Sequence, residues 1–365
     1  MDGDDAAAIL SLFDRKNELP PPRQSNFRVV AELTYDVERS GADAPPTAPT
    51  TSPTPRSQPL RVFGANYEGG PHIGVCCCAE RAALGILRQH ERRGQTIRLR
   101  CCYIATDSAQ VITPGALCRE FLHSIAGGSL RVCLAADTLQ VHAELEALAA
   151  GSHGALSDVT DVASGGLQVI ALETLFPLAS IYSLLDGAAQ LALGAELAPR
   201  IAATVPPTLA AAHGAALAAT ARDDRDALHR MRYAAVAVDA VGTVIATAYQ
   251  MKALEYGCTP DVVCQLVAIV QSEGGTARRA AIAHILLVDH FGVCHAPWAA
   301  ARSLLTEHAG FENVRCWAHV LERAPPVEAE VGGRGAPRAL ALTSLIASKL
   351  LPGTPDMFCD AARTG

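Results

Sequence analysis

The sequence predicts an α/β protein made of two successive units of similar build, and three observations carry that prediction. Half of the 365 residues are hydrophobic and only 18% are charged, the balance of a chain that buries a core rather than one that stays disordered. At roughly 150 residues per domain the length suits two domains or one duplicated unit. Strand-like and helix-like segments alternate along the chain, and near Tyr233 the alternation starts again. The same composition excludes some classes. A net charge of −7 with no basic block argues against nucleic acid as a partner. No apolar run is long enough to span a membrane, and the acidic start Met1-Asp2-Gly3-Asp4-Asp5 is unlike a signal peptide, so the chain reads as cytoplasmic. The 12 cysteines then read as reduced thiols, most of them small core residues.

A short amphipathic helix over Ala6 to Phe13 ends before Pro20-Pro21-Pro22. Phe27 to Tyr35 is rich in β-branched and aromatic residues and predicts a strand. Residues 40–59 are Pro/Thr/Ser-rich without apolar periodicity, which predicts a disordered insertion, and Leu60 to Phe63 resumes as a strand. From Cys78 to about Arg93, Ala79, Ala82, Ala83, Ile86 and Leu87 recur at helical spacing, with Glu80, Arg81, Arg88 and Arg92 largely off that face. Ile97 to Thr106 is a strand. Pro114 opens a helix through about Ile125, closed by Gly127-Gly128, and Leu130 to Ala135 is the next strand. Residues 140–165 read as a variable connection before a strand at Leu167 to Leu172. The Ala-rich stretch Leu209 to Met231 predicts a helix. After it come strands at Ala235 to Asp239 and Thr243 to Tyr249, a helix at Val262 to Gln271, a strand at Ala280 to Val288, a helix at Ala296 to His308 and a strand at Val314 to Val320.

Two cysteines stand where the chemistry favours a metal ligand. A helix N-terminus stabilises thiolate through its dipole and free N–H groups, and both Cys78 and Cys118 are expected at such ends. Glu80, two residues past Cys78, would sit beside a metal held there without ligating it. That is the placement of a carboxylate that shuttles protons for a metal-activated water, although an ordinary first-turn acid would look the same in sequence.

At these residues the sequence resembles a known family. Gly64-Ala65-Asn66-Tyr67-Glu68, Cys78-Ala79-Glu80-Arg81 and Pro114-Gly115-Ala116-Leu117-Cys118-Arg119-Glu120 are similar to the G-x-N-x-E, C-A-E-R and P-C-x-x-C-R-Q series of cytidine deaminases. Ser25 to Val29 and Glu173 to Pro177 resemble that family's opening and closing motifs, so the resemblance covers about residues 20–180. It implies a cytidine deaminase-like three-layer α/β fold with a mixed sheet, present in two tandem copies. It implies Zn2+ held by Cys78 and Cys118, with Glu80 as the catalytic acid and base. Asn66 and Glu68 would hold the ribose, Phe27 would line the pyrimidine pocket and Ala79 would offer backbone contacts to the base. The residues alone leave open that Asn66 and Glu68 are turn residues and that Phe27 is core.

One position departs from the pattern: Gly115 stands where the family has the first cysteine of P-C-x-x-C, leaving two protein ligands where a catalytic zinc usually has three. Cys76, Cys77, His72 and His123 are the nearby alternatives. In the second half Cys264-Gln265-Leu266 replaces C-A-E, and Cys294-His295-Ala296-Pro297-Trp298 occupies the place of the second metal element. The expected domains are an N-terminal helical segment over 1–19, a deaminase-like domain over 20–180, a helical linker over 181–231, a degenerate deaminase-like domain over 232–350 and a tail over 351–365. The expected activity is hydrolytic deamination of cytidine or deoxycytidine in pyrimidine salvage by a homodimer. The alternative is a catalytically impaired relative that binds nucleoside or scaffolds a partner, because of Gly115.

Overall fold

The computed structural model describes residues 1–39, 59–68, 76–90, 95–151, 166–254, 258–307, 310–311, 313–322 and 339–346. Most of the predicted insertion and the tail lie outside these residues. The chain is a mixed α/β protein whose described residues fall in two compact units, one ending at Leu175 and the other starting at Phe176. Among the described residues no helix is long and apolar enough to cross a membrane.

The first unit opens with α1 (Gly3–Glu18), longer than its apolar face predicts because Asp2 and Asp5 form a reciprocal capping box at its start. Then follow β1 (Val29–Arg39), β2 (Leu60–Ala65), β3 (Tyr67–Glu68), β4 (Cys76–Cys77), α2 (Ala79–His90), β5 (Gln95–Thr106), α3 (Ala116–Ala126) and β6 (Arg131–Ala135). Next is α4 (Leu139–Ala149), a helix inside the stretch expected to be a variable connection and started by Thr138, whose Oγ1 accepts from the Val141 N–H. β7 (Leu167–Ala171) and α5 (Leu172–Leu175) complete the unit.

Its sheet has the order β2-β1-β5-β6-β7, antiparallel except for the parallel β5–β6 pair. Successive side chains of a strand face opposite sides. On β5, Tyr103 donates its hydroxyl to Asp5 of α1 at 2.8 Å, while Cys102 points to the side that carries Glu80 of α2. Helices therefore cover both faces, α1 with α4 on one and α2 with α3 on the other. Gly64 brings β2 against α2: a Cβ there would lie 2.3 Å from the Ala79 carbonyl oxygen and 2.4 Å from the Ala83 nitrogen.

The second unit contains α6 (Gly187–Ile201), α7 (Ala210–Ala219), β8 (Tyr233–Val238), β9 (Val244–Tyr249), α8 (Val262–Ala280), β10 (His284–Asp289), β11 (Cys294–His295), α9 (Ala299–Glu307), β12 (Arg315–Glu322) and β13 (Ala339–Ile346). The helix expected through Met231 ends near Arg222 in a short 3-10 turn, and α9 starts only after Pro297. α8 runs past its predicted end through a break at Gly275, whose φ is 59°. The sheet has the order β13-β12-β10-β8-β9, again antiparallel except for one parallel pair, β10–β12. Taken in chain order the five long strands of each unit share one order and one set of directions. Ala235, Ala237, Ile285 and Leu287 pack with α8, while Val236, Val238, Leu286 and Val288 pack with α7, so every side chain of β8 is buried.

His319 of β12 is held neutral by its partners. Its Nδ1 accepts the Cys294 N–H at 2.8 Å, which leaves Nε2 to donate to Thr204 Oγ1 at 2.8 Å. Burial, reinforced by the neighbouring His295 and His213, pushes its pKa down to about 4. The unfolded chain takes up this proton below about pH 6.5 and the folded chain only near 4, so the stabilisation is intact above 6.5 and lost as pH falls through 4. The loss amounts to about 3 kcal/mol. Urea midpoints between pH 7 and pH 4.5 should fall more steeply for the native chain than for His319→Asn; equal slopes would contradict this account.

Candidate active site

Three side chains named from the sequence converge in the first unit. The ligand atoms of Cys78, Glu80 and Cys118 all lie within 4.8 Å of one another. Cys78 directly precedes α2, and Glu80 is in its first turn. Cys118 is in the first turn of α3, so both helix N-termini aim at one point. Cys78 is exposed, whereas Glu80 and Cys118 are buried. The site is thus a carboxylate and a thiol under one accessible sulfur.

The electrostatics separate the three groups. Hydrogen bonding from the Cys118 thiol, helped by Arg81, holds the Cys78 pKa down to about 6, while Cys118 is pushed up by that same bond and by burial. Burial, followed by the negative Cys78 sulfur, pushes the Glu80 carboxyl up to about 7. A carboxyl poised near neutrality both gives and takes protons efficiently.

Two arginines given no role in the sequence reading build this site. Arg81 Nη2 lies 3.8 Å from Cys78 Sγ and supplies the positive charge beside the thiolate. Arg119 is fully buried and ties the turn before α3: Nε donates to the Pro114 carbonyl at 2.6 Å, Nη2 to Thr113 Oγ1 at 2.7 Å and Nη1 to the Leu175 carbonyl at 2.8 Å. Both follow a site residue directly, at Glu80 and Cys118, which is the signal their positions offered.

Gly115 caps α3 with φ −61° and ψ 158°, a conformation open to any residue, and a Cβ there would meet nothing within 4 Å. The space for the missing thiol exists. The alternatives do not fill it among the described residues: Cys77 Sγ contacts the Cys78 carbonyl at 3.6 Å and Cys76 Sγ contacts Gln24 Oε1 at 3.9 Å. His123 is in the last turn of α3, and His72 lies outside the described residues. With Glu80 kept as the proton-carrying group, the two sulfurs are donors suited to zinc and one protein ligand short of the usual catalytic three.

The expected substrate contacts form a second group. Asn66 Oδ1 accepts the Val29 N–H and Nδ2 donates to the Phe27 carbonyl, both at 2.9 Å, so the amide continues the β1–β2 ladder. Glu68 accepts from the Gln24 N–H at 3.0 Å, the Ser25 N–H at 2.8 Å and the Ser25 hydroxyl at 2.6 Å. Phe27 is half-buried beside Asn26, whose φ is 53°. Asn66 and Glu68 line a cleft of about 710 Å3 together with Arg23, Gln24 and Arg28; Cys78, Glu80 and Cys118 are not among its walls. Ala79 is fully buried, its carbonyl set against Gly64.

The second unit has the strand order of the first, with other side chains at the positions that correspond to Cys78, Glu80 and Cys118. Arg302 is buried, its Nε donating to the Pro297 carbonyl at 2.7 Å, and it stands to Pro297 as Arg119 stands to Pro114. By that relation Ala301 takes the place of Cys118. The helix begins at Val262 behind Asp261, which caps it and faces the Ala301 amide, so Asp261 and Val263 take the places of Cys78 and Glu80. Cys264 is therefore one turn too late to mark the metal position. Cys294 and His295 turn to opposite faces of the sheet, as adjacent strand residues must.

The chain is similar to solved cytidine deaminases. One from Burkholderia pseudomallei is 19% identical over 47% of this chain and 95% of that one, with a TM-score of 0.29. A mutant form of the Mycobacterium tuberculosis enzyme is 22% identical over 39% of this chain and 93% of that one, with a TM-score of 0.28. The Mycobacterium leprae enzyme is 22% identical over 28% of this chain and 82% of that one, with a TM-score of 0.24. No protein-family model and no curated protein matches the sequence.

Proposed function

We propose that the first unit hydrolyses the amino group from cytidine or deoxycytidine, giving uridine or deoxyuridine, and that the second is a degenerate copy that does not deaminate. The observation that carries the reading is the convergence of Cys78, Cys118 and the buried Glu80, poised near neutrality, at two helix N-termini. The motif order of residues 20–180 and the shared strand order of the two sheets support it.

In this reading Cys78 and Cys118 would hold Zn2+, which when bound supplies Lewis-acid activation of water. Arg81 offsets the thiolate charge at Cys78. Glu80 would give its proton to the ring nitrogen, take one from the attacking water and pass it to the departing ammonia, and recover its own from the added hydroxyl as that becomes the uridine carbonyl, a relay suited to a group that titrates near 7. Asn66 and Glu68 would exchange contacts with the 24–29 loop for contacts with the ribose hydroxyls, Phe27 would flank the base and Ala79 would contact it through its backbone. A homodimer and a cytoplasmic setting in pyrimidine salvage complete the proposal.

The open space at Gly115 favours a second reading: a site that binds nucleoside while holding zinc too weakly for turnover. Chromatographic detection of uridine from cytidine, with the protein supplied with equimolar and then excess zinc, separates the two. Turnover that rises with zinc supports the deaminase; nucleoside binding without product at any zinc level supports the second reading.

A further inference from the structure

A Ser–His–Asp relay occupies the second unit, outside the site described above. Ser180 Oγ lies 3.2 Å from His295 Nδ1, and His295 Nε2 lies 3.1 Å from Asp289 Oδ2. A carboxylate only accepts, so Nε2 carries the ring proton, and in the neutral ring Nδ1 is left to accept from the serine hydroxyl. This is the proton path of an activated nucleophile, with the two ring nitrogens exchanged relative to the serine-protease arrangement.

Asp289 is fixed as such a positioning residue must be. Its Oδ2 also accepts the Tyr182 hydroxyl at 2.7 Å, and its Oδ1 accepts the N–H groups of Phe291 at 2.8 Å and Val293 at 3.0 Å. Burial works against the charge, but the hydrogen bonds from His295, Tyr182 and the backbone hold the carboxyl below its ordinary pKa. Asp289 and His295 are buried, and Ser180 is half-exposed, so the chain of groups runs from the interior to an accessible hydroxyl.

The loop around Ser180 is strained and anchored. Leu178 and Leu184 have φ of 52° and 69°, unusual for leucine, and Arg302 donates to the Pro177 carbonyl at 2.7 Å and the Leu178 carbonyl at 3.2 Å. The Tyr182 N–H donates to Ser180 Oγ at 3.2 Å, while the backbone N–H groups of Ser180 and Ile181 have no hydrogen-bond partner among the described residues. The N–H groups of a nucleophile and of the residue after it are common oxyanion donors.

We propose that Ser180, His295 and Asp289 form an acyl-transfer site that hydrolyses carboxylic esters with small apolar acyl groups. Ser180 Oγ attacks the carbonyl carbon as its proton passes to His295 Nδ1. The N–H groups of Ser180 and Ile181 take the developing oxyanion. The ester C–O bond breaks, and the alcohol leaves with the proton from His295. Water, deprotonated by His295, then attacks the acyl-serine; the acid leaves and the proton returns to Ser180. Ile181 and Trp298 are half-buried against the core around Tyr233, whose ring lies 5.6 Å from that of His295, so the surroundings of the relay are apolar and suit a small apolar acyl group.

The test uses the full chain with a fluorophosphonate and with p-nitrophenyl acetate. Intact mass and peptide mapping should place one phosphonyl adduct on Ser180 of the unaltered protein, which requires no variant to fold. Ser180→Ala, which removes one half-exposed hydroxyl, should lower ester hydrolysis by about a hundredfold while keeping the native circular dichroism spectrum and melting transition. The absence of an adduct on Ser180, or an unchanged ester rate in a folded Ser180→Ala protein, would overturn the proposal. Neither result bears on cytidine turnover, which depends on residues of the first unit.

Discussion

Glu80→Gln is expected to give a folded protein whose conversion of cytidine to uridine falls by at least about a hundredfold, since a positioned acid and base contributes about 10²–10⁴ in rate. The carboxyl is buried at the start of α2, and burial pushes it up to about 7, where it can both give and take a proton. The amide is nearly isosteric, so α2 and its contact with β2 at Gly64 stay in place. Zinc content should persist, because Glu80 is not assigned as a ligand. Product analysis and far-ultraviolet circular dichroism on one sample check both halves. Turnover within a few-fold of the native chain would remove Glu80 from the chemistry.

Gly115→Cys should raise zinc affinity by at least about a hundredfold, because an outer partner of a metal ligand alone is worth about 10–100-fold and an inner thiolate is worth more. The backbone at 115 already has an ordinary φ, its Cβ direction is empty, and residues 115 and 118 lie on one side of α3. Competition against a colorimetric chelator measures the change directly. The native chain should give up its zinc to mild chelation, and the variant should retain it. Equal affinities would mean that another residue completes the native shell or that the 114–118 turn presents the new thiol elsewhere.

Where local chemistry carried the signal, the sequence was sufficient. The apolar spacing after Cys78 marked α2, and Pro114 with Gly127 bracketed α3. α4 was missed because its Ala, Leu and Glu residues give little amphipathic contrast, and the Thr138 cap was its clearest signal. In the second unit the sulfur of Cys264 drew attention from Asp261, although an Asp before an apolar helix is the better start signal. The convergence of Cys78, Glu80 and Cys118 was legible because each sits at a helix start. Arg119 and Arg302 were not, since a buried arginine is recognised only by the carbonyls it ties together. The approach of Cys101 and Cys133 to 3.4 Å across the parallel strands β5 and β6 was likewise invisible, because it depends on strand register.

The central claim is that the first unit is a nucleoside site whose chemistry is completed by zinc at Cys78 and Cys118. Calorimetric titration with cytidine and with a hydrated-pyrimidine ribonucleoside analogue, each with and without added zinc, tests it most directly. A deaminase site binds the analogue more tightly than cytidine only when the metal is present to meet its hydroxyl, as complementarity to the transition state requires. Zinc-dependent tightening of the analogue, abolished in Cys118→Ala, is the expected result; no binding of either ligand at millimolar concentration with saturating zinc would contradict the account.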